Sequence, residues 1–215
     1  MAGRVYNPPE FREDQPEVLH QVIKEHSFAT LISQARGELM ATHLPVLLDA
    51  EDGPLGTLRG HVARANPHWR AFREGVEALA IFQGPHTYVS PSWYETELTV
   101  PTWNYVAVHA YGRPRVIEDE AGLKAILLAL VDTYESGFER PWSIQRLPEE
   151  FVQKMLKGIV GFEIPIARLE GKFKMNQNRT AGDRRGVIDA LSNDGSEMSL
   201  SVAKLMVDRE GKEGK

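Results

Sequence analysis

Two strings that contain histidine carry the side chains best suited to chemistry. One is Thr42-His43-Leu44-Pro45, and the other is Gly60-His61-Val62-Ala63-Arg64-Ala65-Asn66-Pro67. The second string predicts a strand that delivers Arg64 to a helix start, because asparagine caps helices and proline suits the first helical position. A guanidinium beside free backbone N–H groups is typical of a phosphate or carboxylate site. A surface arginine next to an ordinary capped helix is the alternative interpretation.

The histidines do not indicate a metal site. His43, His61, His68 and His86 lie in polar or aromatic surroundings, but no H-x-x-x-H or histidine–carboxylate spacing accompanies them. Hydrogen-bonded structural histidines are the simpler interpretation. His43 and His61 are the only candidates for a general acid or base near neutral pH, so no catalytic set can be named.

Aromatic and proline residues crowd an irregular stretch over residues 84–103. It includes Tyr88, Trp93, Tyr94 and Trp103. Flat rings stack on planar ligands, so the stretch predicts a rigid wall for such a ligand. An aromatic mini-core under a long loop, or a subunit interface, would produce the same pattern.

A basic stretch follows near the C-terminus. Residues 172–185 hold five basic side chains against one acidic side chain, Asp183; the basic ones are Lys172, Lys174, Arg179, Arg184 and Arg185. A nucleic-acid patch, a phosphate clamp and a solvated loop are the three interpretations.

Composition limits the class of protein. The chain has 215 residues, 42% hydrophobic and 26% charged, which suits one globular domain over residues 1–215. The net charge of −5 disfavours a protein that wraps DNA. There is no cysteine, which excludes thiol catalysis and fits a reducing compartment. Residues 1–9 lack the apolar core of a signal peptide and no apolar run is long enough to span a bilayer, so we expect a cytoplasmic protein without a membrane segment.

The elements that position these residues are mostly short strands joined by turns. This order predicts a mainly β (α+β) fold: an antiparallel closed or half-closed barrel with peripheral helices. Pro165 suggests that the last strand lies at an edge or a bulge. The predicted strands are 28–33, 39–48, 58–63, 78–82, 87–90, 104–117 and 161–169; the main helices are 119–136, 149–157 and a C-terminal extension over about 183–209.

Known nucleotide and hydrolase motifs are missing from the sequence. There is no G-x-G-x-x-G, P-loop, nucleophile elbow or H-E-x-x-H, and no helix-turn-helix pair with a basic recognition helix.

The strings at 42–45 and 60–67 resemble the PaiB family when they are taken with three further strings. These are Gly84-Pro85-His86-Thr87-Tyr88-Val89-Ser90-Pro91-Ser92-Trp93-Tyr94, Pro101-Thr102-Trp103-Asn104-Tyr105 and Lys172-Phe173-Lys174-Met175-Asn176-Gln177-Asn178. PaiB proteins are FMN-binding negative transcriptional regulators associated in bacilli with sporulation and protease synthesis. The match covers most of the chain in the family's order.

The resemblance implies an FMN-binding split barrel related to pyridoxamine-phosphate oxidases, usually a homodimer with FMN near the interface. It implies that Arg64 and the N–H groups after Asn66 hold the phosphate and that one of two tryptophans closes the pocket. The flavin would be lined by Thr42, His43, His61 and Ala63, closed by Trp93 or Trp103, and further contacted by Lys172, Gln177 and Asn178.

Two functions follow from the resemblance. The first is an FMN-binding regulator, for which direct DNA contact has only the 172–185 stretch in its favour. The alternative is a flavin-dependent oxidoreductase with an indirect regulatory effect.

Overall fold

Alternating apolar residues form the strands, and two of these strands are longer than the sequence predicts. The computed structural model describes residues 5–213, with nine strands and six helices in that range. The elements are β1 (Arg12–Glu13), α1 (Pro16–Glu25), β2 (Phe28–Ala35), β3 (Glu38–Pro45), β4 (Leu47–Asp49), β5 (Thr57–Ala63), α2 (His68–Arg73), β6 (Ala78–Val89), β7 (Thr102–Gly112), β8 (Arg115–Ile117), α3 (Glu120–Glu135), α4 (Glu149–Leu156), β9 (Ile159–Lys174), α5 (Ala181–Asn193) and α6 (Glu197–Glu213).

The chain divides into two compact units. The major unit comprises Pro16–Phe82 and His109–Leu169. The terminal unit comprises the described parts of Met1–Gln15, Gln83–Val108 and Glu170–Lys215. Strands β6, β7 and β9 each contribute residues to both units. The prediction that residues 1–9 lack a signal peptide concerns, for residues 1–4, positions outside the described residues.

Antiparallel pairing organises the sheet. The strand order is β3-β2-β6-β7-β9-β5-β4, with β1 and β8 also paired to β9. In the major unit, Thr30 of β2 is opposite His43 of β3 and Ile81 of β6. His61 of β5 is opposite Gly161 of β9. The site candidates on β3 and β5 therefore have backbone positions fixed by strand ladders.

Each unit has buried apolar side chains of its own. In the major unit Leu31, Leu58 and Phe162 are fully buried, and Leu123 of α3 packs with Val152 and Leu156 of α4. In the terminal unit the buried residues include Val187 and Leu191 of α5 and Val202 and Met206 of α6. The helical periodicity of α3 is confirmed, and Asp119 caps it by accepting a hydrogen bond from the Gly122 N–H at 2.8 Å.

Several of the predicted strand boundaries are wrong. The predicted strands 39–48 and 104–117 are each divided in two, into β3 and β4 and into β7 and β8. Runs 78–82 and 87–90 form one strand, β6, across Gly84-Pro85. Strand β9 continues past residue 169 to Lys174, so Lys172 and Lys174 lie in a strand and not in a solvated loop. Pro165 is not at an edge either, since β9 lies between β7 and β5.

A glycine allows the strand next to Pro165 to approach it. A Cβ built on Gly112 of β7 would lie 2.3 Å from the Pro165 carbonyl oxygen and 2.6 Å from the Ile164 side chain. Only a residue without a side chain fits there. None of the described helices combines the length and the apolar character that a membrane span requires.

We expect Gly112→Ala to lower the free energy of unfolding by about 1–3 kcal/mol, because the backbone must shift to relieve the overlap. Urea unfolding followed by circular dichroism measures the change. Gly137→Ala is the control, because a Cβ there meets no atom within 4 Å. Equal effects of the two substitutions would contradict the packing argument.

Candidate functional site

A buried imidazole joins three elements at the first candidate string. His68 of α2 is 1% exposed, and its Nε2 lies 2.7 Å from the Ser33 hydroxyl of β2. Its Nδ1 lies 2.8 Å from the Thr42 hydroxyl of β3. The Asn66 amide donates to the same Thr42 hydroxyl at 3.1 Å, and its carbonyl oxygen accepts the His68 N–H at 2.9 Å. Thr42 and Asn66, both predicted flavin contacts, are thus brought together by His68.

The other predicted flavin-lining residues occupy neighbouring strands of the major unit. His43 is exposed, and its Nδ1 lies 3.0 Å from the Thr30 hydroxyl. Ala63 is exposed at the end of β5. His61 is partly buried, and burial lowers its pKa below the ordinary value. The His61 Nδ1 is buried and has no hydrogen-bond partner, which is costly unless a ligand or a rearrangement satisfies it.

Arg64 is already occupied by protein groups. Its Nε donates to the Lys157 carbonyl oxygen at 2.9 Å and its Nη2 to the Ile159 carbonyl oxygen at 3.0 Å. Its Nη1 pairs with the Glu118 carboxylate at 2.9 Å, and Arg73 pairs with the same carboxylate. The first helical N–H after Pro67 is also taken, by the Asn66 side chain. Arg64 therefore spends three of its five N–H donors on groups of the major unit and shares the Glu118 carboxylate with Arg73.

Three cations of the terminal unit have a different environment. Lys172 is 8% exposed, donates to the Tyr6 carbonyl oxygen at 2.7 Å and lies over the Tyr6 and Tyr105 rings. Lys174 donates to the Trp103 carbonyl oxygen at 2.7 Å and to the Thr102 hydroxyl. Arg179 lies 4.8 Å over the Tyr94 ring. Among the side chains that the structure describes, over residues 5–211, no carboxylate forms an ion pair with these three cations, which we call the cation cluster.

The uncompensated positive charge affects the pKa of Lys174. Burial lowers the pKa of its ammonium below the ordinary value, and repulsion from Lys172 and Arg179 lowers it further. Nearby positive charges without a counter-ion are the arrangement that an anionic ligand relieves. Lys172 and Lys174 are two residues apart on β9 and therefore share a face of the strand.

Aromatic side chains surround the cation cluster. Trp103, which is 53% exposed, meets Tyr88 edge-on with ring centres 6.0 Å apart and His86 at 6.4 Å. The Tyr94 hydroxyl accepts a hydrogen bond from the Asn176 amide at 3.1 Å. Trp93 ends a short 3₁₀ turn, Pro91–Trp93. The predicted aromatic wall thus lies in the same unit as the cations.

The remaining two candidates have different environments. Gln177 folds back on its own turn: its amide donates to the Phe173 carbonyl oxygen, and its carbonyl oxygen accepts the Met175 N–H at 2.7 Å. Asn178 is exposed. Asn104, fully buried on β7, has a carbonyl oxygen without a partner and an amide 3.4 Å from the Met206 sulfur. Gln177 shapes the turn that presents the cation cluster.

The candidates form two groups, one in each unit. The major unit holds Thr42, His43, His61, Ala63, Arg64 and Asn66, and the terminal unit holds Trp93, Trp103, Lys172, Gln177 and Asn178. That the two groups bind one ligand stays a prediction. Sequence reasoning missed the link from Ser33 to His68 and the role of Lys174, because both depend on strand pairing. No cluster of three potential metal ligands occurs among residues 5–213.

Comparisons with known proteins identify relatives of the whole chain. A family model described as "Putative FMN-binding domain" matches residues 5–168. The chain is 36% identical over 205 residues to the Bacillus subtilis (strain 168) "Protease synthase and sporulation protein PAI 2", covering 95% of this chain and 98% of that protein. It is 33% identical over 241 residues to an uncharacterised protein of Aspergillus fumigatus, covering 89% and 92%.

Solved structures share the fold at low sequence identity. A FAD and heme binding protein from Mycobacterium smegmatis has a TM-score of 0.59 at 17% identity, over 81% of this chain and 78% of that chain. The flavocytochrome Anf3 from Azotobacter vinelandii has a TM-score of 0.56 at 18% identity, over 80% and 70%. The predicted fold class, a mainly β antiparallel split barrel with added helices, is confirmed.

We expect His68→Gln to lower the free energy of unfolding at pH 7.5 by about 1–3 kcal/mol, because buried hydroxyl groups lose their partner. Burial lowers the pKa of His68 in the folded state, so the unfolded chain binds a proton more readily. The stability due to neutral His68 is therefore fully present above its ordinary pKa of about 6.5 and decreases as the pH falls below it.

Urea unfolding at pH 7.5 and pH 5.5 measures both effects. His43→Gln removes an exposed imidazole and serves as the control, with a change of no more than about 0.5 kcal/mol. A His68→Gln variant that keeps the wild-type pH dependence would contradict the assignment.

Proposed function

We propose that this chain binds FMN and works as a flavin-dependent regulator. The chain belongs to the FMN-binding domain family, as its resemblance to PaiB predicts. When bound, FMN supplies one- or two-electron redox chemistry. The observation that carries the proposal is the cation cluster of Lys172, Lys174 and Arg179, which has no carboxylate partner among residues 5–211 and stands among exposed aromatic rings.

The residues present fit a flavin mononucleotide in two respects. The cation cluster offers ammonium and guanidinium donors to a phosphate, and charge-assisted bonds of this kind are the strongest hydrogen bonds in proteins. The Trp103 and Tyr88 rings offer exposed faces for stacking.

We assign the phosphate to the cation cluster in preference to Arg64. The Arg64 guanidinium pairs with Glu118 and donates to two backbone carbonyl groups, so an anion there would lie beside a carboxylate and compete with existing partners. Lys174 uses two of its three ammonium protons and keeps one for a ligand. Helix α2 has only six residues, and its first N–H is capped by Asn66.

Lys174→Met is expected to raise the Kd for FMN about 10- to 100-fold, because one charge-assisted hydrogen bond contributes about 1.5–3 kcal/mol. Arg64→Met is the matched control and should change the Kd for FMN less than about threefold. Quenching of FMN fluorescence on titration with the protein measures both. A large loss with Arg64→Met and none with Lys174→Met would reverse the assignment.

A homodimer is part of the proposal. Leu98 is 97% exposed and Val100 is 67% exposed, and both precede Trp103 in the same segment of the terminal unit. Contiguous exposed apolar patches, and not single side chains, mark interaction sites. We propose that a second copy of the chain covers them, in keeping with the homodimers that the family resemblance implies.

The double change Leu98→Asp and Val100→Asp is expected to convert a dimer of about twice the 24.1 kDa chain mass to a monomer, because two charges would have to be desolvated at the interface. Light scattering coupled to size exclusion measures the mass. Leu128→Asp, at a 40% exposed position on α3, is the control. A monomeric wild-type protein, or a dimeric double variant, would contradict the placement.

The regulatory role draws its support from the name of the Bacillus subtilis relative, which refers to protease synthesis and sporulation. Direct DNA binding has weak support. Helices α5 and α6 are joined by a short turn, but α6 is acidic overall, and its Arg209 is paired with Glu13 at 2.6 Å. Recognition helices are normally basic. Over residues 197–211 the acidic residues of α6 are Glu197, Asp208 and Glu210, against Lys204 and Arg209.

We therefore propose that the regulatory effect passes through the flavin or through a protein partner in the cytoplasm. The second candidate, a flavin-dependent oxidoreductase, would turn over a substrate. Anaerobic reduction of bound FMN, followed by reoxidation with added acceptors, separates the two. Sequence-specific promoter binding by the protein at physiological salt would overturn the indirect route.

A further inference from the structure

The Trp93–Thr96 loop is held by residues that follow the FMN-binding domain match. The family model ends at residue 168, whereas α5 begins at Ala181. Residues 176–186 nevertheless make several contacts with this loop, all within the terminal unit. They involve a buried carboxylate, two glycines and the side chains around Tyr94.

Asp183 provides the strongest of these contacts. It is 1% exposed, and its Oδ1 accepts the N–H groups of Glu95 and Thr96, both at 3.0 Å. Its Oδ2 accepts the Thr96 hydroxyl at 2.9 Å. Burial alone would raise the pKa of this carboxyl, but hydrogen bonds from Thr96, Thr180 and Glu95 outweigh burial and hold the pKa below the ordinary value. Asp183 is therefore an ionised anchor for the loop near neutral pH.

Two glycines let α5 approach the loop closely. A Cβ built on Gly186 would lie 2.1 Å from the Trp93 carbonyl oxygen. A Cβ on Gly182 would lie 1.9 Å from the Glu95 carboxylate. The first overlap is with backbone, so any side chain at position 186 must displace the loop or the helix.

Asn176 and Arg179 hold the Tyr94 side chain of the same loop. The Asn176 amide donates to its hydroxyl at 3.1 Å, and the Arg179 guanidinium lies 4.8 Å over its ring. Asn176 is 3% exposed and has a φ of 61°, the left-handed region that costs energy for any residue other than glycine. The buried amide contact favours this backbone conformation.

We propose that Asp183 and Gly186 are positioning residues that hold the Trp93–Thr96 loop in the conformation that binds the flavin. The inference rests on the proposed function, because Trp93 is assigned to the flavin only through the family resemblance. It adds that α5 is part of the binding machinery and not an appended helix. The Asn176 and Arg179 contacts keep the Tyr94 ring within the cation cluster.

The test compares Asp183→Asn and Gly186→Ala with Gly211→Ala, a helical position where a Cβ meets no atom within 4 Å. Hydrogen exchange at the Glu95 and Thr96 amides reports the loop without any ligand. Titrations with FMN and with riboflavin report binding. Residual fluorescence of the bound flavin reports the rings around it, a signal that a change in global stability alone would not move.

We expect both loop variants to speed exchange at the two amides at least tenfold and to raise the Kd for riboflavin at least tenfold. The fluorescence of bound flavin should increase, and the far-ultraviolet circular dichroism should stay unchanged. Gly211→Ala should match the wild type. Should Gly186→Ala fail to fold, Asp183→Asn alone decides, because it preserves the side-chain shape.

Three results would overturn the inference in distinguishable ways. Faster exchange with unchanged Kd and fluorescence in the variants would leave flavin binding intact and remove the positioning role. Unchanged exchange in both variants would show that Asp183 and Gly186 do not hold the loop. Failure of the wild-type protein to bind either flavin would overturn the proposed function together with this inference.

Discussion

Backbone hydrogen bonding along β9 is the constraint on which the site depends. This sixteen-residue strand pairs with β5 and β8 in the major unit and with β1 in the terminal unit. Its ladder places Lys172 opposite Arg12 and gives Lys172 and Lys174 a common face. A flexible loop would let both ammonium groups turn to water, whereas a paired strand keeps Lys172 buried and Lys174 partly buried, close enough to repel each other.

Electrostatics then separates the two candidate anion sites. Arg64 was the natural choice from sequence, because it stands at a helix start. In the folded chain Glu118 pairs with it and two carbonyl groups accept its hydrogen bonds, so it links the end of β5 to the start of β9. The cation cluster keeps its charge uncompensated within residues 5–211. Since a half-buried cation without a counter-ion is unfavourable, a bound phosphate would stabilise the folded protein as well as the complex.

Sequence patterns predicted the elements whose periodicity is local. Helix α3 and its Asp119 cap follow from apolar spacing and a capping side chain, and the antiparallel fold class follows from short strands with tight turns. The strand predictions that were wrong concern segments that contain glycine or proline. Gly84-Pro85 and Pro165 predicted interruptions of their strands. A proline fits in a strand where its missing N–H is not needed for pairing. Gly112 has no side chain and therefore leaves room for the Pro165 carbonyl group.

Contacts between distant segments could not be predicted in this way. The Ser33–His68–Thr42 connection joins three elements, and the Asp183 contacts join residues almost ninety positions apart. Sequence alone shows a histidine beside a helix start and an acidic residue in a basic stretch. Their roles follow only from burial, which forces each polar atom to find a partner.

The central claim is that the phosphate of FMN is recognised by the protein, and the ratio of two dissociation constants tests it most directly. Riboflavin has the same ring system and lacks the phosphate. The account predicts that wild-type protein at physiological salt binds FMN at least about 100-fold more tightly than riboflavin, since two or more charge-assisted hydrogen bonds are involved. Equal affinity for the two flavins, or no binding of either, would contradict it.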